Sequence, residues 1–217
     1  MTVIGSPNQW VDLIDSLVPD ILAAVISSWE EMPAPALNAL EDHITLELLR
    51  VLRRHRAARD LPLTIHLQPV EIDPAEGQDI GRMDIAFFPL VNREDIYFCL
   101  EAKRLNVLRD GKVRPYAAEY VHLGMMRFIT GQYAKLARNG GMIGYVVDGR
   151  VSHAIKNVEQ NIRTRHVELG MTAPGGLRSP SILTGDDRTR ETHHTRQHDP
   201  SPFIIHHLFM TKAVSAN

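Results

Sequence analysis

Asp84, Glu101 and Lys103 are the residues of this chain whose types and spacing promise chemistry. The stretch 81–104, GRMDIAFFPLVNREDIYFCLEAKR, sets an aspartate on one apolar segment and a Glu-x-Lys on the next. Residues i and i+2 of a β-strand share a face. On a strand expected at 96–103, Glu101 and Lys103 therefore stand beside each other with Tyr97 and Cys99, while Ile96, Phe98, Leu100 and Ala102 point the other way. A strand at 82–89, joined to it by the polar turn 91–95, brings Asp84 level with Glu101 to Lys103 if the two pair antiparallel. Charges set among Ile, Phe and Leu are costly without compensation. A hard divalent cation held by oxygen ligands compensates them, and the chemistry that follows is metal-assisted activation of water. The alternative is a solvated hairpin edge on which Glu101 and Lys103 form an ordinary charged pair.

These residues resemble the motif of the PD-(D/E)XK nuclease superfamily, the restriction-endonuclease-like group, over about residues 37–149. One departure is that Met83, not a proline, precedes Asp84. The resemblance implies that Asp84, Glu101 and the backbone carbonyl of Ala102 hold Mg²⁺, for which Mn²⁺ can substitute. It implies that Lys103 orients the attacking water or stabilises developing charge. The implied activity is hydrolysis of nucleic-acid phosphodiester bonds, DNA ahead of RNA, of the restriction, repair or anti-phage defence type. A second reading is a nuclease-fold subunit that binds nucleic acid or a partner in a larger complex and is inactive alone. A third is an interaction protein in which the motif is coincidental.

The elements that must position these residues are legible as patterns. A helix is expected at 36–55, where Leu37, Leu40, Ile44, Leu48, Val51 and Leu52 form one apolar stripe at 100° per residue. Glu41 falls inside that stripe and Glu47 on its margin. The family resembled has a helical acid in this place, which makes Glu41 the candidate for the metal or its water, with Glu47 the fallback. The plain alternative is that Glu41 pairs with a buried arginine. A strand at 63–70, a helix at 116–138 and a strand at 142–147 complete the order αβββαβ, with a right-handed crossover back to the sheet. The expected fold is thus α/β, a restriction-endonuclease-like core with a mixed sheet flanked by helices. On the later helix Gln132 is the residue that the resemblance suggests for orienting water or phosphate; as a bare pattern it is a solvated polar residue. Arg127 and Tyr133 nearby fit phosphate contact or, for Tyr133, packing. Gly140-Gly141 is expected to stop that helix with φ > 0.

A chain of 217 residues with 44% hydrophobic and 23% charged residues can bury one substantial core. We expect a single domain, 1–217, with the nuclease-like core at 36–149, an N-terminal helical extension at 1–35 and a C-terminal extension of helix, loop and strand at 150–217. In the first extension an amphipathic helix at 10–29, with Pro19 a candidate break, packs Val11, Ile14, Leu17, Val18, Ile21, Leu22 and Val25 on the core, and Pro33 and Pro35 end it. In the second, residues 150–170 read as helix, 171–200 as a long loop with short strands, and 203–210 as a strand that joins the sheet. The start lacks a basic segment followed by an apolar core, and no run approaches the ~18 apolar residues that span a bilayer. With Cys99 the single cysteine, no internal disulfide forms. A reducing, cytoplasmic setting away from membranes is expected.

A net charge of −2 hides a division. Up to Glu101 there are 7 Lys and Arg against 17 Asp and Glu; from Ala102 onward there are 17 against 9. Arg50, Arg53, Arg54, Arg56 and Arg59 cluster after the Glu41 helix, and Lys103, Arg104, Arg109, Lys112 and Arg114 after the motif. Either group can follow a phosphate backbone, and Arg53, Arg54, Arg104 and Arg127 are the specific candidates for nucleic-acid contact. For the first group the alternative is stabilisation at a helix C-terminus. His193, His194, His198, His206 and His207 lack the partners and spacing of a structural zinc site and read as polar strand and loop residues. A homodimer or a partner subunit suits the cutting of two strands.

Overall fold

Ser6 starts the first helix by a reciprocal cap. Gln9 Oε1 accepts from the Ser6 N–H at 2.7 Å, the Ser6 hydroxyl accepts from the Gln9 N–H at 3.4 Å, and Pro7 follows, where its missing N–H costs nothing. The structure, a computed structural model, describes residues 5–91, 94–172 and 175–212. Met1 to Ile4 of the expected leaderless start, Asn92 and Arg93 of the expected turn, and Ala173 and Pro174 of the expected loop lie outside the described residues. Helix α1, Pro7–Glu31, runs unbroken through Pro19, because the buried side chains on both sides of it, Ile14 and Val18 before and Ile21, Leu22 and Val25 after, hold one face to the core.

Helix α2, Glu41–Leu52, begins five residues later than the apolar stripe suggests. Leu40 is extended at φ −72°, ψ 153°, and Leu37 and Leu40 are each 57% exposed, so no burial of that end of the stripe favours helix there. The correction moves Glu41 from the middle of a buried face to the first residue of a helix. Helix α3, Arg56–Asp60, leads into the sheet.

The sheet is mixed and six-stranded, in the order β1-β2-β3-β6-β8-β7. Strands β1 (Leu63–Leu67), β2 (Ile85–Pro89) and β3 (Phe98–Leu105) pair antiparallel in sequence; β6 (Asn139–Val146) lies parallel to β3, β8 (Pro202–Met210) parallel to β6, and β7 (Thr189–Thr195) antiparallel to β8. One face packs Ile85, Phe87, Phe98, Leu100 and Ile143 against α1 and α2. The other packs Ala86, Tyr97, Cys99, Met142, Phe203 and Phe209 against the helical stretch after β3 and against α6 (Val151–Thr164). The expected α/β architecture with helices on both faces is what the chain forms, and the alternation along β3 falls as the period of two requires. Two short strands, β4 (Val107–Arg109) and β5 (Lys112–Arg114), form a separate ribbon.

Two expectations need correction. The helix expected at 116–138 is short and wound irregularly: α4 (Ala117–Glu119), a π-helical turn (Tyr120–Met125) and α5 (Met126–Ile129), stopped by Gly131 at φ +75°. Gly140 and Gly141 therefore stop nothing; they lie inside β6, where a Cβ on Gly141 would come within 2.3 Å of Leu100 Cδ2. Their lack of a side chain serves close packing. The long loop with short strands expected at 171–200 holds β7, a seven-residue strand at the sheet edge, and the strand expected at 203–210 joins the sheet as β8. Among the described residues no helix is long and apolar enough to cross a membrane.

Candidate active site

Ile85↔Leu100 is the last pair between β2 and β3, while β3 continues beside β6 from Leu100 to Leu105. Beyond Leu100 the outer edge of β3 has lost its strand partner, and carboxylates take the place of one. Asp84 Oδ2 accepts from the Ala102 N–H at 2.7 Å, and Glu41 Oε2, at the N-terminus of α2, accepts from the Arg104 N–H at 2.9 Å. Between them stands Lys103, whose ammonium donates to Glu101 Oε1 at 2.7 Å, to the Ala102 carbonyl at 2.7 Å and to Glu41 Oε1 at 3.2 Å. Arg127, on α5, adds a second cation: one nitrogen donates to Glu101 Oε1 at 2.8 Å and to the Tyr133 hydroxyl at 2.7 Å.

Burial dominates the electrostatics. Glu101 is 1% exposed; burial, reinforced by Asp84, pushes its carboxyl up to about 7 against the pull of Lys103 and Arg127. Burial likewise raises Asp84 to about 6, opposed by Lys103 and the Ala102 N–H. Burial works against the charge of Lys103, yet Glu101, Glu41 and Asp84 outweigh it and raise its pKa, so the ammonium stays protonated at neutral pH. Glu101 Oε2 is buried with no hydrogen-bond partner. An unsatisfied buried polar atom costs about 1–3 kcal/mol, more when charged, and this one belongs to the carboxyl whose pKa burial raises.

The structure thus brings Asp84, Glu101, Lys103, Glu41 and the Ala102 carbonyl to one place. It does not bring Gln132 there: the stretch stopped by Gly131 leaves Gln132 in a turn, where its amide donates to the Asp79 carbonyl at 3.1 Å. Glu47, the fallback, is exposed and paired with Arg50. Among the arginines expected at nucleic acid, Arg127 alone reaches the centre. Arg104 donates to the Ala39 carbonyl at 2.8 Å, Arg53 caps the Ile65 carbonyl on the edge of β1 at 2.6 Å, and Arg54 bonds the Arg50 carbonyl at 3.0 Å.

Tyr133 is buried, as the packing alternative has it, and reaches the site through Arg127. Its hydroxyl bridges Arg127 and the Arg82 carbonyl, and its ring fills the space a Cβ on Gly81 would need. The signal was the glycine two residues before Met83. The histidines are structural: His207 is sealed between the Tyr120 and Thr192 hydroxyls, His206 bonds Asn139, His194 bonds the Leu169 carbonyl and Thr192, and His193 pairs with Glu191. Among the described residues no three His, Cys, Asp or Glu side chains form a ready metal cluster. Around Lys103 the oxygens of two carboxylates and a carbonyl enclose an ammonium instead, and this hard-oxygen donor set, with Glu101 Oε2 open, fits a cation of the Mg²⁺ class. The chain matches no family model, no curated protein and no solved structure.

Proposed function

We propose that the chain is a Mg²⁺-dependent nuclease with a restriction-endonuclease-like core, hydrolysing phosphodiester bonds of nucleic acid, DNA ahead of RNA, in a reducing cytoplasmic setting. The observation that carries this reading is the all-oxygen enclosure of the Lys103 ammonium beside the unpartnered Glu101 Oε2. Asp84, Glu101 and the Ala102 carbonyl would hold the ion, with Glu41 beside them. What such an ion supplies when bound is a nucleophile at neutral pH and neutralisation of charge in the transition state.

The chain's own groups divide the remaining work. Lys103 is too firmly protonated to act as a base; it orients the attacking water or stabilises negative charge on the phosphoryl oxygens. Arg127, about a third of its side chain exposed, holds Glu101 from one side and presents the rest of its guanidinium to a phosphate. Glu41 ties the α2 N-terminus to β3 through the Arg104 N–H and fixes Lys103.

Calorimetric titration with Mn²⁺ at about pH 8, above the range in which Glu101 and Asp84 titrate, tests the ion site. The native chain is expected to bind with release of heat that Glu101→Gln abolishes. Binding of equal strength by both chains, or by neither, would remove the ion from the reading.

A second reading has an observation of its own. Lys103 and Arg127 both sit on Glu101 Oε1 and neutralise it without an ion, as suits a subunit that binds nucleic acid within a larger complex and cleaves only when a partner displaces the ammonium. Nucleic-acid binding without cleavage by the purified chain, together with Mn²⁺ binding, favours it.

A further inference from the structure

The β4–β5 ribbon stands apart from the main sheet and is sorted by charge. Asp110 and Gly111 form its turn with φ of +52° and +71°, the pairing of positive angles that a two-residue hairpin needs. Leu108 and Val113 pair on one face; the flanking pairs Val107↔Arg114 and Arg109↔Lys112 alternate onto the other. Arg109, Lys112 and Arg114 therefore share a face, and all are exposed. Lys112 and Arg114 have no side-chain partner among the described residues, and Arg109 meets only its neighbour Asp110 at 4.0 Å. This is the reverse of Arg53, Arg54 and Arg104, whose guanidiniums are spent on backbone carbonyls.

The same ribbon walls a groove of about 690 Å³, with Arg109 and Arg114 on its side and Tyr116, Glu119, Asn157 and Asn161 across it. Its neck is clamped. Asn106, fully buried at φ +56°, donates its N–H to the Pro115 carbonyl at 3.2 Å and its amide to Asp148 Oδ1 at 2.9 Å. A lone two-stranded ribbon is marginal in water; this one is braced and carries exposed cations away from the core. It continues β3 directly, so Arg109 lies at most ~20 Å along the chain from Lys103 at about 3.3 Å per residue, or about six steps of a nucleic-acid strand.

We propose that the cationic face of the β4–β5 ribbon, with the groove that Arg109 and Arg114 line, is a nucleic-acid backbone site that holds the strand flanking the Asp84–Glu101–Lys103 centre. The proposal rests on the nuclease reading for the identity of the polyanion. Three phosphate contacts set its signature: the slope of log affinity against log salt is shallower by about 2.7 on duplex and about 2.1 on single strands when they are removed.

Fluorescence anisotropy of the full chain with labelled duplex and single-stranded DNA, in EDTA and between ~50 and ~200 mM salt, measures this without cleavage. The triple variant Arg109→Ala, Lys112→Ala, Arg114→Ala is expected to bind at least ~10-fold more weakly with the shallower slope, and Lys112→Glu alone to weaken binding in the same direction. Arg178→Ala, exposed beside β7 at the far edge of the sheet, is expected to bind as the native chain does. Native affinity and slope in both ribbon variants, or no binding of either DNA by the native chain, would overturn the site. Since cleavage is not read, failure of the nuclease reading shows separately: binding lost through the ribbon with no Mg²⁺-dependent cleavage leaves the ribbon site standing.

Discussion

Glu101 is held at a cost that its neighbours only partly offset. A carboxyl whose pKa is raised in the folded chain favours folding most when protonated; that stability is complete below its ordinary value of 4.5 and is lost as pH rises through about 7. Glu101→Gln keeps the shape and removes the charge. The variant is expected to melt higher than the native chain at about pH 8, by on the order of 3 kcal/mol, and to match it at about pH 4. Thermal melts across that range check this, and parallel profiles contradict it. Glu41→Ala, which frees Lys103 and the Arg104 N–H, is expected to lower metal affinity or activity by about 10–100-fold, as loss of a group that orients a ligand does. Asp84, Glu101 and Lys103 were legible because a period of two is rigid: once β2 and β3 pair, parity alone sets which residues meet. Gln132 was misplaced because a π-helical turn and Gly131 at φ +75° interrupt the helix that was to carry it, and no apolar pattern reveals such a break.

At the scale of elements, β3 and β6 lie against each other where Gly141 faces Leu100 and Phe98. Gly141→Ala puts a methyl into space already filled and is expected to destabilise the chain by about 1–3 kcal/mol, read by chemical denaturation; a neutral result would mean that Leu100 yields freely. At the far edge, burial lowers His194 and His206 to about 4 and His207 further, so all are neutral in the folded chain. A depressed histidine contributes stability that is present above its ordinary 6.5 and lost as pH falls through about 4. Amide exchange in β7 and β8, corrected for intrinsic rate, is expected to accelerate over that interval before exchange in β1 and β2 does. Uniform protection across the sheet would contradict it. Strand β7 was legible only as one of the short strands of a long loop, because its sequence, TRETHHT, is polar throughout; its buried groups are satisfied by one another and not by apolar packing, as Thr192 shows by bonding both His194 and His207. The late start of α2 was missed for the opposite reason: Leu37 and Leu40 extend the apolar pattern but are exposed.

Across the whole molecule the division of charge along the chain becomes a division in space that is partly closed. Arg138 pairs with Asp12 and Asp15, and Arg188 with Glu30, so acids of α1 are met by bases from the later half. Such surface pairs contribute little stability, about 0–1 kcal/mol each. What they leave is buried acids at the centre and, on the β4–β5 ribbon, Lys112 and Arg114 without a side-chain partner among the described residues, an arrangement in keeping with the proposed function. Helices on both faces of a mixed sheet followed from apolar periodicity and the order of elements, whereas the place of β7 at the sheet edge did not; Arg109, Lys112 and Arg114 were legible as a basic cluster, and the pairing of β4 with β5 sets them on one face. The central claim is that Asp84, Glu101 and Lys103 form a metal-dependent hydrolytic centre. Cleavage of supercoiled, linear and single-stranded DNA and of RNA by the native chain, Asp84→Ala and Lys103→Ala, with Mg²⁺ or Mn²⁺ and with EDTA, tests it most directly. The account predicts divalent-dependent cleavage that either substitution lowers by at least ~10²–10³-fold while the fold persists; cleavage that survives both substitutions, or proceeds equally in EDTA, would contradict it.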